Sequence, residues 1–463
     1  MFMAHPHSLL DQRPGAHDDP AGRLSLHHLH VFNTVAATGG VRSTAEALFR
    51  ASSAVTRAVN RFEESLGVRL FERKGTGMLL TAEGEAVRVR ASHIAAELAA
   101  VHDEALALRR ARGGATAAGV GAVASLFHTR RLMHAALLAD VHHMSTVAHL
   151  AGLTQPAISA SISGLEETLG QPLFQRTPRG MVPTPAGERW VVHFKRVLAE
   201  LRNIQADVAA LQGVLEGIVT VGALPLIRTM VLPAAIASVL GRHPRLRIRT
   251  LESPYGDLCA GLLSADVDFI LGALRPLQDS ALTTEVLLHE DIVLIARAGH
   301  PLARKRSVDF DDLQAYPWVL SRQSTPLRDQ LNAFFVRHGR PALVPSVETA
   351  DLALLRGLLL HSDMLTALSV HQLYYEFEAG GLAALAFPLD GMQRQIGVTL
   401  RTGAQLQPGA RALLDEVKRL AVSMDVRPSA SSAGPASGRI VHKRNRAARV
   451  QQGNPGGAVG GDT

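Results

Sequence analysis

Histidine and cysteine are the side chains that most often carry chemistry, and this chain of 463 residues has 21 of the first and one of the second. The histidines cluster as His27-His28-x-His30 and as His142-His143. Adjacent histidines on a helix point about 100° apart, and no carboxylate or cysteine stands at ligand spacing beside them, so neither cluster reads as a metal site. The lone Cys259 lies in an apolar helical stretch, where a thiol packs rather than attacks. It excludes an intramolecular disulfide and a zinc cage of several cysteines, and it fits a reducing compartment. No Ser-His-Asp pattern is legible. The residues predict no enzyme, no cofactor and no metal, which leaves recognition as the chemistry to look for.

Charge alone does not say what is recognised. The net charge is +7, but the segment from Asp425 onward holds six Lys/Arg against two Asp, more than half of the excess. That segment is rich in Ser, Ala, Gly and Pro and cannot build a core. Its KRNRAAR run, Lys443–Arg449, is read as a solvated extension, with added nonspecific DNA affinity as the alternative. Apolar residues make up 47% of the chain and aromatics only 4%, which favours packed domains over aromatic stacking platforms. No apolar run approaches the roughly 18 residues that span a bilayer. The first residues lack a basic start followed by an apolar core, so no signal peptide is expected. A cytoplasmic protein without membrane contact is the expectation.

The elements that would position recognising side chains betray themselves through a repeat. Shifted by 103 residues, Glu63-Glu64 falls on Glu166-Glu167, Leu66-Gly67 on Leu169-Gly170, and Leu70-Phe71 on Leu173-Phe174. Arg73 falls on Arg176, Gly77-Met78 on Gly180-Met181, Thr81 on Thr184 and Gly84-Glu85 on Gly187-Glu188, all without a gap. In the second copy a short helix, 146–151, stops at Gly152, and Thr154 then caps a helix with Pro156 in its first turn. Ile158, Ile162 and Leu165 share one face of it, and Ala148, Gly152 and Ile158 have the types a helix-turn-helix needs. In the first copy Ser43-Thr44-Ala45-Glu46 reads as a capping box that starts the first helix. Ala45 and Val55 take the packing positions, Val59 and Phe62 extend the face, and Phe49 stands where a turn glycine is expected. A glycine-bearing hairpin follows in each copy, and Thr81 and Thr184 then cap long helices, 82–110 and 185–213.

From Glu216 the pattern alternates strand and helix, the mark of a parallel sheet with helices packed on it. Strands are expected at 217–224, 246–253 and 267–274. Residues 289–320 cross into a second lobe, and the strand 395–400 and helix 408–423 return to the first.

The string LTQPAISASISGLEETLGQPLFQRTPRGMVPTPAGE, Leu153–Glu188, resembles the winged helix-turn-helix of LysR-type transcriptional regulators. ASSAVTRAVNRFEESLGVRLFERKGTGMLLTAEGE, Ala51–Glu85, is similar but more diverged, and the alternating half resembles the effector-binding domain of the same family. The resemblance implies an α+β multidomain fold: two winged helix-turn-helix modules with long linker helices, then a two-lobed α/β, periplasmic-binding-protein-like effector domain. Expected boundaries are a tail at 1–23, module one at 24–112, a flexible joint at 113–125, module two at 126–214, an effector domain at 215–424 and a basic tail at 425–463. Within the effector domain, lobe I is expected at about 217–294 and 394–424, and lobe II at about 295–393.

The resemblance also implies partners: double-stranded promoter DNA, a small-molecule effector, RNA polymerase, and a second chain in a homodimer or homotetramer. It places Gln155, Pro156 and Ser159 at the start of a helix in the major groove, where Gln can bond adenine and Pro can pack on a thymine methyl. Arg176 in the wing would meet phosphate or the minor groove. Module one offers Ser52 and Ser53 instead of Gln-Pro, with Arg57, Arg61 and Arg73 for phosphate. Its span 24–90 carries nine basic against six acidic residues, while 129–193 carries five against four. Module one therefore suits phosphate contact and module two base reading, with a purely structural role as the alternative for module one. Each linker helix has an apolar stripe that needs a partner, either the same helix of another subunit or its neighbour in the same chain. In doubly wound sheets ligands sit beyond the carboxyl ends of the strands. That puts 223–227 with Leu226, Ser253 and Tyr255, and Leu274-Arg275 on one wall of the effector cleft and Ser321, Ser324 and Thr325 on the other, with Thr349 as a further candidate.

Overall fold

The computed structural model describes residues 24–74, 77–111, 121–277, 279–323 and 325–424. Both tails, most of the joint and Ser324 therefore lie outside the described residues, as does the side chain of Arg73.

The first copy runs α1 (Leu26–Thr38), α2 (Val41–Ala47), α3 (Ser52–Leu66), a hairpin of β1 (Phe71–Lys74) and β2 (Gly77–Leu80), and α4 (Ala82–Ala111). After a short α5 (Gly121–Ala124) the order recurs as α6 (Thr129–Val141), α7 (Met144–Ala151), α8 (Gln155–Leu169), β3 (Phe174–Thr177), β4 (Gly180–Pro183) and α9 (Pro185–Leu211). The side-chain chemistry recurs at the same offset. Glu63 accepts the N–H groups of Leu70 and Phe71 at 2.8 and 3.3 Å, and Glu166 accepts those of Leu173 and Phe174 at the same distances. The Thr81 hydroxyl accepts the Gly84 N–H at 2.9 Å, and that of Thr184 accepts the Gly187 N–H at 3.0 Å, as the capping of both long helices requires. A Cβ on Gly84 or Gly187 would lie 2.1 or 2.0 Å from the carbonyl oxygen of Leu70 or Leu173, so only glycine lets the long helix start there.

The expected capping box on α2 does not form. Gly40, in extended backbone, precedes a helix that begins at Val41, and its carbonyl accepts the Ser43 and Thr44 hydroxyls at 3.0 and 2.8 Å. The two hydroxyls therefore bond backward inside the first turn instead of capping it. Likewise α7 begins at Met144, two residues before the expected start, and Thr154 occupies the N-cap of α8 without a side-chain capping bond. Ala45, Val55, Val59 and Phe62 are buried, as are Ala148, Ile158, Ile162 and Leu165.

A continuous apolar core runs through both copies, from Leu24 to Val208. At its centre α4 packs on α9 of the same chain. The buried stripe of α4 is Val87, Ala91, Ile94, Leu98, Val101 and Ala105; residues 103 further on are Trp190, Phe194, Val197, Leu201, Ile204 and Val208, all buried on α9. Contacts descend α4 as they ascend α9, from Glu104 with Arg189 and Trp190, through Glu97 with His193, to Arg90 with Glu200 and Asp207. The pair is antiparallel.

The remaining elements are β5 (Gly217–Ala223), α10 (Val231–Arg242), β6 (Leu246–Leu251), α11 (Tyr255–Leu263), β7 (Phe269–Ala273), β8 (Leu282–Arg297), α12 (Phe310–Gln314), β9 (Val319–Leu320), α13 (Pro326–Arg337), β10 (Val347–Glu348), α14 (Leu352–His361), β11 (Thr366–Ser369), α15 (Tyr374–Glu378), β12 (Leu382–Ala384), β13 (Gln393–Arg401) and α16 (Pro408–Met424). Strands β5, β6 and β7 are parallel, and β13 returns antiparallel between β7 and β8. The 16-residue β8 pairs with β13 in its first part and with β11 and β12 in its last. One strand thus runs past two apolar cores, one gathered on β5, β7, α10 and α16, the other on α13, α14 and the end of β8.

Candidate functional site

On α8, Gln155, Pro156 and Ser159 are exposed in the first turns, while Ile158 between them is anchored in the core. Their counterparts on α3 are Ser52, Ser53 and Thr56, of which the serines are exposed, and Arg57 and Arg61 project from the same helix into solvent. Alternation of buried and exposed positions fixes which side of each helix faces out. Arg176 is exposed on β3 opposite Met181, and Arg73 sits on β1 opposite Met78.

Arg131 is a cation that sequence reasoning missed. Its guanidinium, from α6, donates to the Gly164 carbonyl at 3.2 Å and lies 3.0 Å from where a Gly164 Cβ would be. Gly164 is the counterpart of Arg61, and Arg131 that of His28. An arginine therefore stands at this spot in both copies, supplied by α3 in one and by α6 in the other. A shift-and-match search could have found it only by pairing positions across two elements. His28 in turn is held below the usual imidazole range by burial and by Arg61. Among the described residues no three His, Cys, Asp or Glu side chains converge as a metal site, and no helix there is long and apolar enough to cross a membrane.

In the alternating half, Leu226 is buried and lines a cavity with Ile227, Met230, Leu288, Glu290 and His371. The cavity lies where the first core meets the second: the Thr229 hydroxyl donates to the Gln372 carbonyl at 3.1 Å. His371 approaches Glu290 at 3.3 Å, and that contact raises the imidazole above its usual range. The other Glu290 oxygen is buried without a hydrogen-bond partner among the described residues. Across the sheet Arg394 faces Glu290 in register, and burial together with Arg275 pushes its guanidinium down. Arg275 lies over the Tyr255 ring, 4.6 Å from its centroid. The Arg275 Nε and the Tyr255 hydroxyl are both buried without a partner in hydrogen-bonding geometry among the described residues. Ser253 is half-buried beside Tyr255.

Three of the expected opposite-wall residues come together in a different way. Residues Leu320 and Glu348 are paired strand neighbours, so Ser321 and Thr349 leave adjacent strand ends. The Ser321 and Thr325 hydroxyls bond each other at 2.8 Å, Thr325 also donates to the Arg322 carbonyl, and Thr349 accepts the Asp351 N–H at 3.0 Å. These hydroxyls are engaged in local turns. Glu290, His371 and Arg394 are the polar groups the sequence reading left out, whereas Arg275 was expected on this wall; they converge only through the fold.

Cations on α4 and α9 tie the halves together. Arg90, with no exposed surface, donates to Asp207 and Glu200 and to the Gln405 carbonyl at 2.8 Å, just before α16. Lys195 on α9 bonds Asp140 and Asp266, and Arg196 donates to the Leu263 carbonyl.

Comparison with known proteins gives this geometry a lineage. Residues 26–85 and again 129–188 match the "Bacterial regulatory helix-turn-helix protein, lysR family", and residues 212–421 match the "LysR substrate binding domain". The chain is 43% identical over 397 residues to the HTH-type transcriptional regulator GalR of Pseudomonas putida, covering 86% of this chain and 97% of that one. It is 29% identical over 299 residues to the SDS degradation transcriptional activation protein of a Pseudomonas species, covering 63% and 96%. Among solved structures, full-length OxyR from Pseudomonas aeruginosa is similar at 24% identity and a TM-score of 0.49, covering 62% of this chain and 93% of that one, and stands as a resemblance only. The chain belongs to the LysR family of transcriptional regulators, with a DNA-binding and an effector-binding part, and is not an enzyme.

Proposed function

We propose that the chain is a regulator with two winged helix-turn-helix modules, both of which contact promoter DNA, under control of a small molecule held between the two lobes of its second half. The observation that carries this reading is the pair of outward faces on α3 and α8, polar and exposed at equivalent positions above equally buried anchors. The GalR alignment supports a tandem arrangement, since 397 residues exceed the whole span from 129 to 421. Gln155, Pro156 and Ser159 read base edges; Arg57, Arg61, Arg73, Arg131 and Arg176 meet phosphate, with Ser52 and Ser53 at the start of α3.

The second half has the two-lobed, periplasmic-binding-protein-like plan, and the effector sits by Leu226, Ser253, Tyr255 and the β8–β13 crossing. The buried Arg275 Nε, without a hydrogen-bond partner among the described residues, suits an effector with an acidic group. Ser321 and Thr349, at adjacent strand ends, and Thr325 form the far wall. Closure on the effector would move the second half against the α4–α9 pair through Arg90 and Lys195. RNA polymerase and further chains would be met by surfaces outside that pair.

Selection of preferred duplexes from a random pool by the full chain tests the reading. A defined site whose affinity falls steeply with salt supports it, and absence of any duplex preference, with or without candidate acidic metabolites, contradicts it.

A further inference from the structure

We infer that one chain supplies both reading helices of a complete DNA site, so that the site consists of two unlike halves bound at one chain per duplex. The inference rests on the reading just given and goes beyond it in naming the stoichiometry and the form of the partner.

Three independent observations within the chain support it. First, the α4–α9 pair has the internal symmetry of a two-fold dimer. Arg90 with Glu200 becomes, on adding 103 to one partner and subtracting it from the other, His193 with Glu97, and both pairs are present. His93 with Glu200, at 3.7 Å, becomes Arg196 with Glu97, at 3.6 Å. Each residue thus contacts its partner as the partner's counterpart contacts it, the defining property of an isologous interface. At the same offset α3 is the counterpart of α8.

Second, the two stripes are unlike in size. Where α4 presents Val87 and Ala91, α9 presents Trp190 and Phe194. Two α4 helices facing each other would leave gaps, and two α9 helices would crowd. A large stripe against a small one fills the space, so the pairing of unlike helices is favoured over either like pairing.

Third, the modules grip each other outside the helix pair. The Thr129 hydroxyl, at the start of α6, accepts the Leu26 N–H at 3.0 Å and donates to the Leu24 carbonyl at 3.2 Å. Arg109, near the end of α4, donates to the carbonyls of Glu167, Thr168 and Leu169, capping the reading helix of the other copy. The interface that would otherwise recruit a second chain is filled from within.

The two readers differ at the positions that face out, Ser52-Ser53 with Arg57 against Gln155-Pro156 with Ala160. Two unlike readers related by a two-fold select two unlike half-sites in inverted orientation.

The test uses the full chain on a duplex chosen by selection and trimmed to its footprint. Chain and duplex are counted by native mass spectrometry at saturation, and protection is mapped for wild type, Gln155→Ala and Arg57→Ala, both exposed positions. The expected result is equal numbers of chains and duplexes, even if chains associate further, with each variant weakening protection in a different half on the order of tenfold. Two chains per duplex, with Gln155→Ala weakening both halves alike, overturns the inference and leaves the regulator reading standing. A chain that selects no duplex overturns both.

Discussion

Phe49 adopts a left-handed backbone, φ 52°, with its ring 92% exposed, where its counterpart Gly152 has φ 64°. The next such pair is reversed: Gly39 at φ 75° answers His142 at φ 61°. A side chain in that region costs about 1–2 kcal/mol, partly offset by the looser unfolded chain of glycine. Phe49→Gly should therefore raise the stability of the first copy by about 1 kcal/mol, and Gly152→Ala should lower that of the second by a similar amount, read as shifts in denaturant midpoint. His371 yields a pH prediction. Its imidazole is raised by Glu290, so the contact contributes fully below the ordinary histidine value and fades as pH rises through the raised one. The stability advantage of wild type over His371→Gln should be largest near about pH 6 and shrink by about pH 8. A difference that stays constant with pH would remove the contact from the account.

At the scale of elements, Arg90 decides how α4, α9 and the approach to α16 are held. Replacing it with Met leaves the buried carboxylates of Glu200 and Asp207 without their shared cation. Loss of about 3–5 kcal/mol is expected, since breaking a buried pair from one side strands the other charge. Thermal unfolding of Arg90→Met checks it; a change below about 1 kcal/mol would mean the carboxylates find water instead. The elements themselves were largely legible in the sequence. The 103-residue offset survives because glycines at 84 and 187, threonines at 81 and 184, and glutamates at 63 and 166 each do a job no other residue does in that backbone. The start of α2 was misplaced because Ser43 and Glu46 imitate a cap, whereas the extended Gly40 opens the helix three residues earlier. Arg131 and the Glu290–His371 contact were not legible. Each depends on side chains from elements far apart in sequence, and spacing along a chain carries no information about that meeting.

At the scale of the molecule, the second half holds α4 through Arg90 and α9 through Lys195, and under the proposed function these contacts would carry the effect of a small molecule bound there to the faces of α3 and α8. The α4–α9 pair is inferred to be complete within one chain. That claim can be tested without DNA or effector. In a Cys259→Ser background, Glu97→Cys and His193→Cys place two thiols where α4 and α9 touch, and a short bis-maleimide can bridge them. After denaturation at low protein concentration the bridged product should run at the mass of one chain. A product at the mass of two chains would show that the helices pair between chains, and the account of a self-contained reading pair would be wrong.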